Sequence, residues 1–445
     1  MLARYTRPAM AHLWGREETK LEYWLKVELA FLAARVKRGE VSLEAYEAIR
    51  ATAKIDVARM KAIEDEVGHD MIAFVKMVQE SLVAAGVGRH KERLHELLTS
   101  YNIEDPAMVL MLRLAAGLIV EELQKLVEAL KVRAMEHRYT YLIMRSHGQF
   151  AEPSSFGHLL LVYANAIERG IARIEFAVEY DLSDGNISGA VGSYGEIDPE
   201  LERQALKSLG LQPSLAATQI LQRDRHASLL SAIAIVGSSI GQMARTFWEM
   251  CRSEVRELEE PRKAKQRGSS AMAHKKNPIG LEQLIGMPRL LRSYCMAAME
   301  NIETPEARDI SQSSVERIIF PDSTTLLHYM AVRSTSLVKG LVVFPERMRY
   351  HLLVSTRGTW AGQPVRTALM GAGVDYDTAY EHIQRLSFEA MSQEGQLEEL
   401  LRTSPIGETG KTALDLLGEE KLEACFNPEN YVRRGIDAIF AANGL

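Results

Sequence analysis

No proline interrupts the chain between Pro213 and Pro261, and within that span Leu229, Ile233, Val236, Ile240, Met243, Phe247 and Met250 follow one another at steps of four and three residues. Residues so spaced fall on one face of a helix and form a seam for packing against other helices. At 1.5 Å per residue the span allows a helix of up to roughly 70 Å, which needs partners along its length. Leu230, Ala234 and Ile235 widen the apolar stripe, and Gly237 and Gly241, one turn apart, leave room for another backbone to approach.

Similar helical periodicity runs from about Ala107 to His137, Phe156 to Tyr180, Ile279 to Asn301 and Ser313 to Phe344. No run of alternating strand residues stands out, so the pattern predicts an all-α protein built around a bundle of long helices. Breaks at Gly86-Val87-Gly88 and Phe344-Pro345 divide it into three helical domains. These are an N-terminal domain (1–98), a central long-helix bundle (99–344) and a C-terminal domain (345–445), with the bundle completed by other subunits. The Gly- and Ser-rich stretch from Asp181 to Asp198 reads as a loop.

Composition narrows the functional classes. With 53 basic and 59 acidic side chains among 445 residues the net charge is −6, which gives no global attraction to nucleic acid or anionic lipid. Cys251, Cys295 and Cys425 show no CxxC spacing, so neither a disulfide framework nor a thiolate metal site is expected. His90 and His95 are spaced too far apart for a zinc pair on one helical face, and no metal is expected. The N-terminus lacks the apolar core of a signal peptide. The most apolar stretch, Leu229 to Met243, is interrupted by Ser231, Ser238, Ser239 and Gln242, too short and too polar to span a bilayer. A cytoplasmic protein without a membrane partner is the expectation. The segment Gly407 to Thr412 ends like a phosphate-binding loop, but Pro405 stands where its first glycine is needed, and a plain loop is expected.

Chemistry-bearing residues are densest from Gly268 to Pro278, with Ser269, Ser270, Lys275 and Asn277, followed by Glu282. Arg262, Lys263, Lys265 and Arg267 make this loop locally basic and attractive to a polyanion; the alternative is a solvated linker. Arg308, Ser313 and Arg317 form a second set, with Ser313 and Arg317 one turn apart. Guanidinium forks suit phosphate; the alternative is salt bridges to Asp309 and Glu316. His147-Gly148-Gln149 reads equally as a turn histidine, His69-Asp70 and Thr99-Ser100 as caps or surface pairs, and His226 as structural within the long seam.

The pattern Gly-Ser-Ser-x-Met-x-x-Lys-x-Asn, from Gly268 to Asn277, resembles the signature of the fumarase/aspartase superfamily. Further matches lie at Arg4-Tyr5, His69-Asp70, Thr99-Ser100, Ser146-His147-Gly148-Gln149, Thr218-Gln219, Arg223 to His226, and Arg308 to Arg317. They resemble the adenylosuccinate lyase family over most of residues 4–345. The resemblance implies elimination of fumarate from adenylosuccinate, giving AMP, and from the succinylcarboxamide ribotide SAICAR, giving AICAR. It needs no cofactor and implies a homotetramer whose active sites combine residues of three subunits.

By the same resemblance Ser269, six residues before Lys275, is the general base, and Lys275 and Asn277 hold the aci-carboxylate. His147 is the general acid, with Glu282 orienting its ring. Arg308, Ser313 and Arg317 hold the nucleotide phosphate, and Arg4 and Tyr5 contact the same end. Gly68, His69, Asp70, Thr99, Ser100 and Gln219 orient the substrate. The chain departs from the family at Ser146, Ala273, Gln312, Asn102, Gly68 and the run Pro305-Glu306-Ala307; these bear on recognition of the base more than on elimination.

The assigned chemistry is coherent. Removing a proton next to a carboxylate piles charge onto an anionic group, so donors aimed at that charge carry most of the stabilisation. A histidine titrating near neutrality suits protonation of the departing nitrogen. The rivals are another fumarate-releasing lyase such as argininosuccinate lyase, a carboxymuconate cycloisomerase, or a silent oligomeric scaffold. Replacing Ser269 with Ala should abolish turnover, a loss of at least about a hundredfold for a general base, while calorimetry still registers nucleotide binding. Substantial residual turnover would count against its role.

Overall fold

The computed structural model describes residues 2–262, 265, 272–392 and 395–445. Among the described residues five helices exceed twenty residues: Glu17–Lys37, Ser100–Glu136, Phe156–Phe176, Asp224–Met250 and Ser311–Gly340. All seven seam residues from Leu229 to Met250 are buried, and burying a side chain of this kind contributes about 1.5–3 kcal/mol. The chain divides into two compact units that interleave along the sequence.

The first unit comprises Met1–Lys125, Ile167–Gly241 and Leu284–Ser334. Here the two glycines of the long seam act as anticipated. A Cβ at Gly237 would lie 2.3 Å from Leu291 Cδ1, and one at Gly241 2.9 Å from Pro288 Cγ. The Pro288–Glu300 helix therefore packs into the groove the glycines leave. Periodicity suggested one helix from Ile279 to Asn301, but the chain forms two, Ile279–Gly286 and Pro288–Glu300. Pro288, which has no N–H to donate, opens the second helix.

Arg223 is buried at the centre of this unit, at 2% exposure. Its guanidinium contacts both oxygens of Asp105 at 3.0 Å and Glu316 Oε1 at 2.8 Å. Burial opposes the Arg223 charge, but Asp105 and Glu316 outweigh it and hold its pKa above the ordinary value. Asp105 Oδ2 also accepts from the Leu221 amide at 2.7 Å, so the network ties three distant stretches of chain together.

The second unit comprises Leu126–Ala166, Gln242–Gln283 and Thr335–Leu445. It holds a feature that helical periodicity does not reveal, an antiparallel hairpin of Tyr141–Ser146 and Gln149–Ser155 with a register shift between Ile143 and Arg145. Ile143 packs with Leu352, Trp360 and Ala361. The C-terminal helices close around Leu369, Leu386, Leu397, Leu401 and Leu422.

The helix Asp224–Met250 is longer than the apolar stretch within it. Among the described residues it is the one helix whose length and composition would suit a membrane span, yet 61% of its apolar window is buried, as in a core helix. Breaking a buried ion pair by deleting one partner costs about 3–5 kcal/mol. Asp105→Ala should therefore lower the thermal midpoint well below that of the wild type, read by calorimetry. An unchanged midpoint would remove the Arg223 network from the framework of this unit.

Candidate active site

In the second unit, His147 and Gly148 form the two-residue loop of the hairpin, between the paired residues Ser146 and Gln149. Both have positive φ, 54° and 78°, the pattern of a type I′ turn, where Asn, Asp and Gly are the usual residues. A histidine there is strained, and strain of this kind gathers at functional sites. Two residues upstream, the Arg145 guanidinium donates to both oxygens of Glu257 at 3.3 Å. The Glu257 side chain is fully buried, so the arm carrying His147 is anchored. The imidazole is exposed.

Lys275 and Asn277 precede the helix Ile279–Gly286, whose first turn carries Glu282. The Glu260 carboxylate accepts from the Gly280 and Leu281 amides at 3.1 Å and so satisfies amides at the start of that helix. Both Lys275 and Lys276 are exposed, and Lys276 is tied to Glu259 at 2.8 Å. Glu282 Oε1 accepts from Trp248 Nε1 at 3.3 Å. Among the described residues it makes no hydrogen bond to His147 within the chain, so the expected orienting contact is not made inside one subunit. Ser269, the expected base, lies outside the described residues.

The first unit gathers most of the residues expected to bind substrate. Arg308 Nε donates to Gln219 Oε1, and Gln219 Nε2 donates to Thr99 Oγ1 at 3.0 Å. The Arg308 guanidinium also lies 4.5 Å from the centroid of the Tyr101 ring, within cation–π range. Gln312 Nε2 donates to Tyr101 Oη at 3.1 Å. Burial, with Glu104 nearby, pushes the Tyr101 phenol up to about 12; it stays protonated. Arg317 pairs with Asp70 at 2.7 Å.

The alternative partners for these arginines are engaged elsewhere. Asp309 accepts from the Ser311 amide and hydroxyl at 3.0 and 2.8 Å, and Glu316 belongs to Arg223. Arg317 lines two cavities. One, of about 460 Å³, includes Lys20, Asp70 and Met108; the other, of about 510 Å³, includes Thr6, Trp14 and Asp322. A pocket of about 960 Å³ around Asp56, Arg59 and Glu80 holds none of the expected residues.

Arg4 and Tyr5 form a short turn, with the Tyr5 ring edge-on to Tyr329 at 5.2 Å. Ser100 opens the Ser100–Glu136 helix. His69 is the N-cap residue of the helix Asp70–Ala84. Gly68, at φ 66°, caps the preceding helix in the left-handed conformation that glycine adopts without penalty. Asn102 is fully buried; its Oδ1 accepts from the Thr99 amide at 3.2 Å and its Nδ2 donates to Asn186 Oδ1 at 3.2 Å. His226 stacks on Phe320, and burial holds its pKa well below the ordinary value, a structural role. Sequence reasoning missed Tyr101 and Asn186. Tyr101 directly follows Thr99-Ser100, and that adjacency was its only signal.

A family model described as lyase matches residues 6–290, and one described as adenylosuccinate lyase C-terminus matches 358–442. The chain is 40% identical to adenylosuccinate lyase of Synechocystis sp. over 97% of each chain, and 37% identical to that of Bacillus subtilis over the full length of both. Among solved structures it resembles 3-carboxy-cis,cis-muconate lactonizing enzyme from Pseudomonas putida, with TM-score 0.88 and 25% identity over 99% of this chain and 97% of that one.

Glu104, beside Asp70, is pushed up to about 7, first by burial and then by the Asp70 charge, with Lys20 opposing. A carboxyl raised in the folded state contributes stability below its unfolded value, near 4.5, and loses it as pH rises through about 7. Glu104→Gln should therefore match the wild-type thermal midpoint or fall below it at pH 4.5, and exceed it at pH 8. A difference that did not change with pH would contradict the raised value.

Proposed function

The chain belongs to the adenylosuccinate lyase family of fumarate-releasing carbon–nitrogen lyases, and from that premise we propose that it cleaves adenylosuccinate to AMP and fumarate, and SAICAR to AICAR and fumarate. The observation that carries this reading is the pair of family matches together with 40% identity over nearly the whole chain. In this reading Ser269 removes the proton from the carbon next to the succinyl carboxylate. Lys275 and Asn277 hold the two negative oxygens of the aci-carboxylate that forms. The electron pair then expels the nitrogen as the C–N bond breaks, and His147 donates a proton to it. The chain's own residues supply every step; no cofactor or metal is called on.

The phosphate falls to Arg308, Ser313 and Arg317, with Arg4 and Tyr5 at the same end. Thr99, Ser100, Gln219, Gly68, His69 and Asp70 surround the rest of the substrate. This arginine set favours a nucleotide over argininosuccinate, and the survival of His147, Lys275, Asn277 and Glu282 argues against a silent scaffold.

Assembly as a homotetramer with shared active sites belongs to the same proposal. Large apolar side chains are exposed on the long helices, among them Leu114, Val162, Ile235, Met296 and Ile318, and surfaces of this kind mark subunit contacts. In such an assembly another subunit would bring a carboxylate to His147, the contact that Glu282 does not make within one chain. The three-domain division near residues 98 and 345 and a cytoplasmic location complete the reading; the match beginning at residue 358 supports the second boundary.

Ultraviolet monitoring of adenylosuccinate, SAICAR and argininosuccinate in parallel tests the assignment, with turnover expected for the first two only. Arg317→Ala should raise KM by about 10- to 100-fold, as loss of a charge-assisted contact worth about 1.5–3 kcal/mol, because phosphate contacts persist from ground state to transition state. An unchanged KM would reject the phosphate role.

A further inference from the structure

Lys20 stands in the first turn of the helix Glu17–Lys37 and lines the cavity of about 460 Å³ that also exposes Asp70 and Arg317. The other cations around this cavity each have a carboxylate partner. Lys61 pairs with Glu17 at 2.7 Å, Arg16 lies 3.8 Å from Glu22, and Arg317 pairs with Asp70 at 2.7 Å. Among the described residues Lys20 has no carboxylate within the 4.0 Å of an ion pair. Its ammonium instead sits 4.4 Å from the centroid of the Trp24 ring, and Trp24 is itself buried. The ring fixes the charge in place without neutralising it.

The groups that face Lys20 come from several elements. Asp70, Glu104 and Glu64 attract its charge from beyond contact distance, and Arg317 opposes it. Burial outweighs the carboxylates and pushes its pKa down. Leu21, Met60, Met111 and Pro321 supply apolar wall, and low polarity strengthens any charge interaction formed there. A lysine held part-dehydrated, beside a guanidinium and without a counter-ion of its own, is set up to receive an anion.

We propose that Lys20 is a further substrate-binding residue, whose ammonium binds the nucleotide phosphate together with Arg317. The proposal rests on the reading of Arg317 as a phosphate ligand and adds a residue that the sequence motifs do not mark. The succinyl carboxylates are the other anions of the same substrate. The phosphate is favoured because Lys20 shares its cavity with Arg317, whereas Lys275 and Asn277 are assigned to the carboxylate.

The test compares Lys20→Met, which keeps the stem against Trp24, Lys20→Gln as a second uncharged variant, and Lys20→Arg, which keeps the charge, in the full-length protein. Turnover of adenylosuccinate gives KM, and product inhibition by AMP and by fumarate separates the two anion sources. Both uncharged variants should raise KM and the inhibition constant of AMP about tenfold or more, corresponding to at least about 1.4 kcal/mol. Fumarate inhibition should stay within about twofold, less than 0.5 kcal/mol, and Lys20→Arg should recover most of the loss. AMP inhibition unchanged in the Met and Gln variants, or AMP and fumarate weakened alike, overturns the role of Lys20 while leaving the enzyme assignment standing. A wild-type protein that does not turn over adenylosuccinate overturns the underlying reading instead.

Discussion

The buried guanidinium of Arg223 is the constraint on which the first unit depends. Removing a charge from water costs several kcal/mol unless good partners compensate, and here the partners are Asp105 and Glu316 at 2.8–3.0 Å. Each member of the network stands within four residues of a residue of the candidate site. Asp105 is four residues after Tyr101, Arg223 four after Gln219, and Glu316 lies between Ser313 and Arg317. The three stretches of backbone that carry Tyr101, Gln219, Ser313 and Arg317 are thus pinned to a single point. Contacts such as Arg308 on Gln219 and on Tyr101 follow from that pinning, because none of the partners is close in sequence.

The long helices were legible because their signal is local and repeated. Leu229 to Met250 encode one buried face, and the structure buries it. Gly237 and Gly241 revealed a close approach for the same reason. The hairpin was not legible, since Tyr141-Leu142-Ile143-Met144 shows no alternation and Arg145 finds its partner, Glu257, more than a hundred residues away. The break at Met287-Pro288 was visible as a proline but was outweighed by the apolar periodicity around it.

The candidate site was legible as a set of residue types but only partly as an arrangement. Local spacing offered Asp309 and Glu316 as partners for Arg308 and Arg317; the fold instead gives Gln219 to one and Asp70 to the other. Those choices depend on tertiary contacts that no window of sequence contains. Asn102 and Gly68 looked like departures in substrate recognition, yet each has a structural occupation, Asn102 bonding the Thr99 amide and Asn186 and Gly68 ending a helix. Ser269 was identified by motif alone.

The turn at His147 has an implication for how the imidazole is aimed. With both loop residues in left-handed backbone, the direction in which the side chain leaves the strand pair is dictated by main-chain torsions before any rotamer is chosen. Gly148 carries no functional group, yet any other L-residue there would meet the same torsional penalty and compete to reshape the bend. The bearing of the His147 imidazole is thereby guarded by a chemically silent neighbour, whose left-handed backbone rather than any side-chain contact restricts what can replace it.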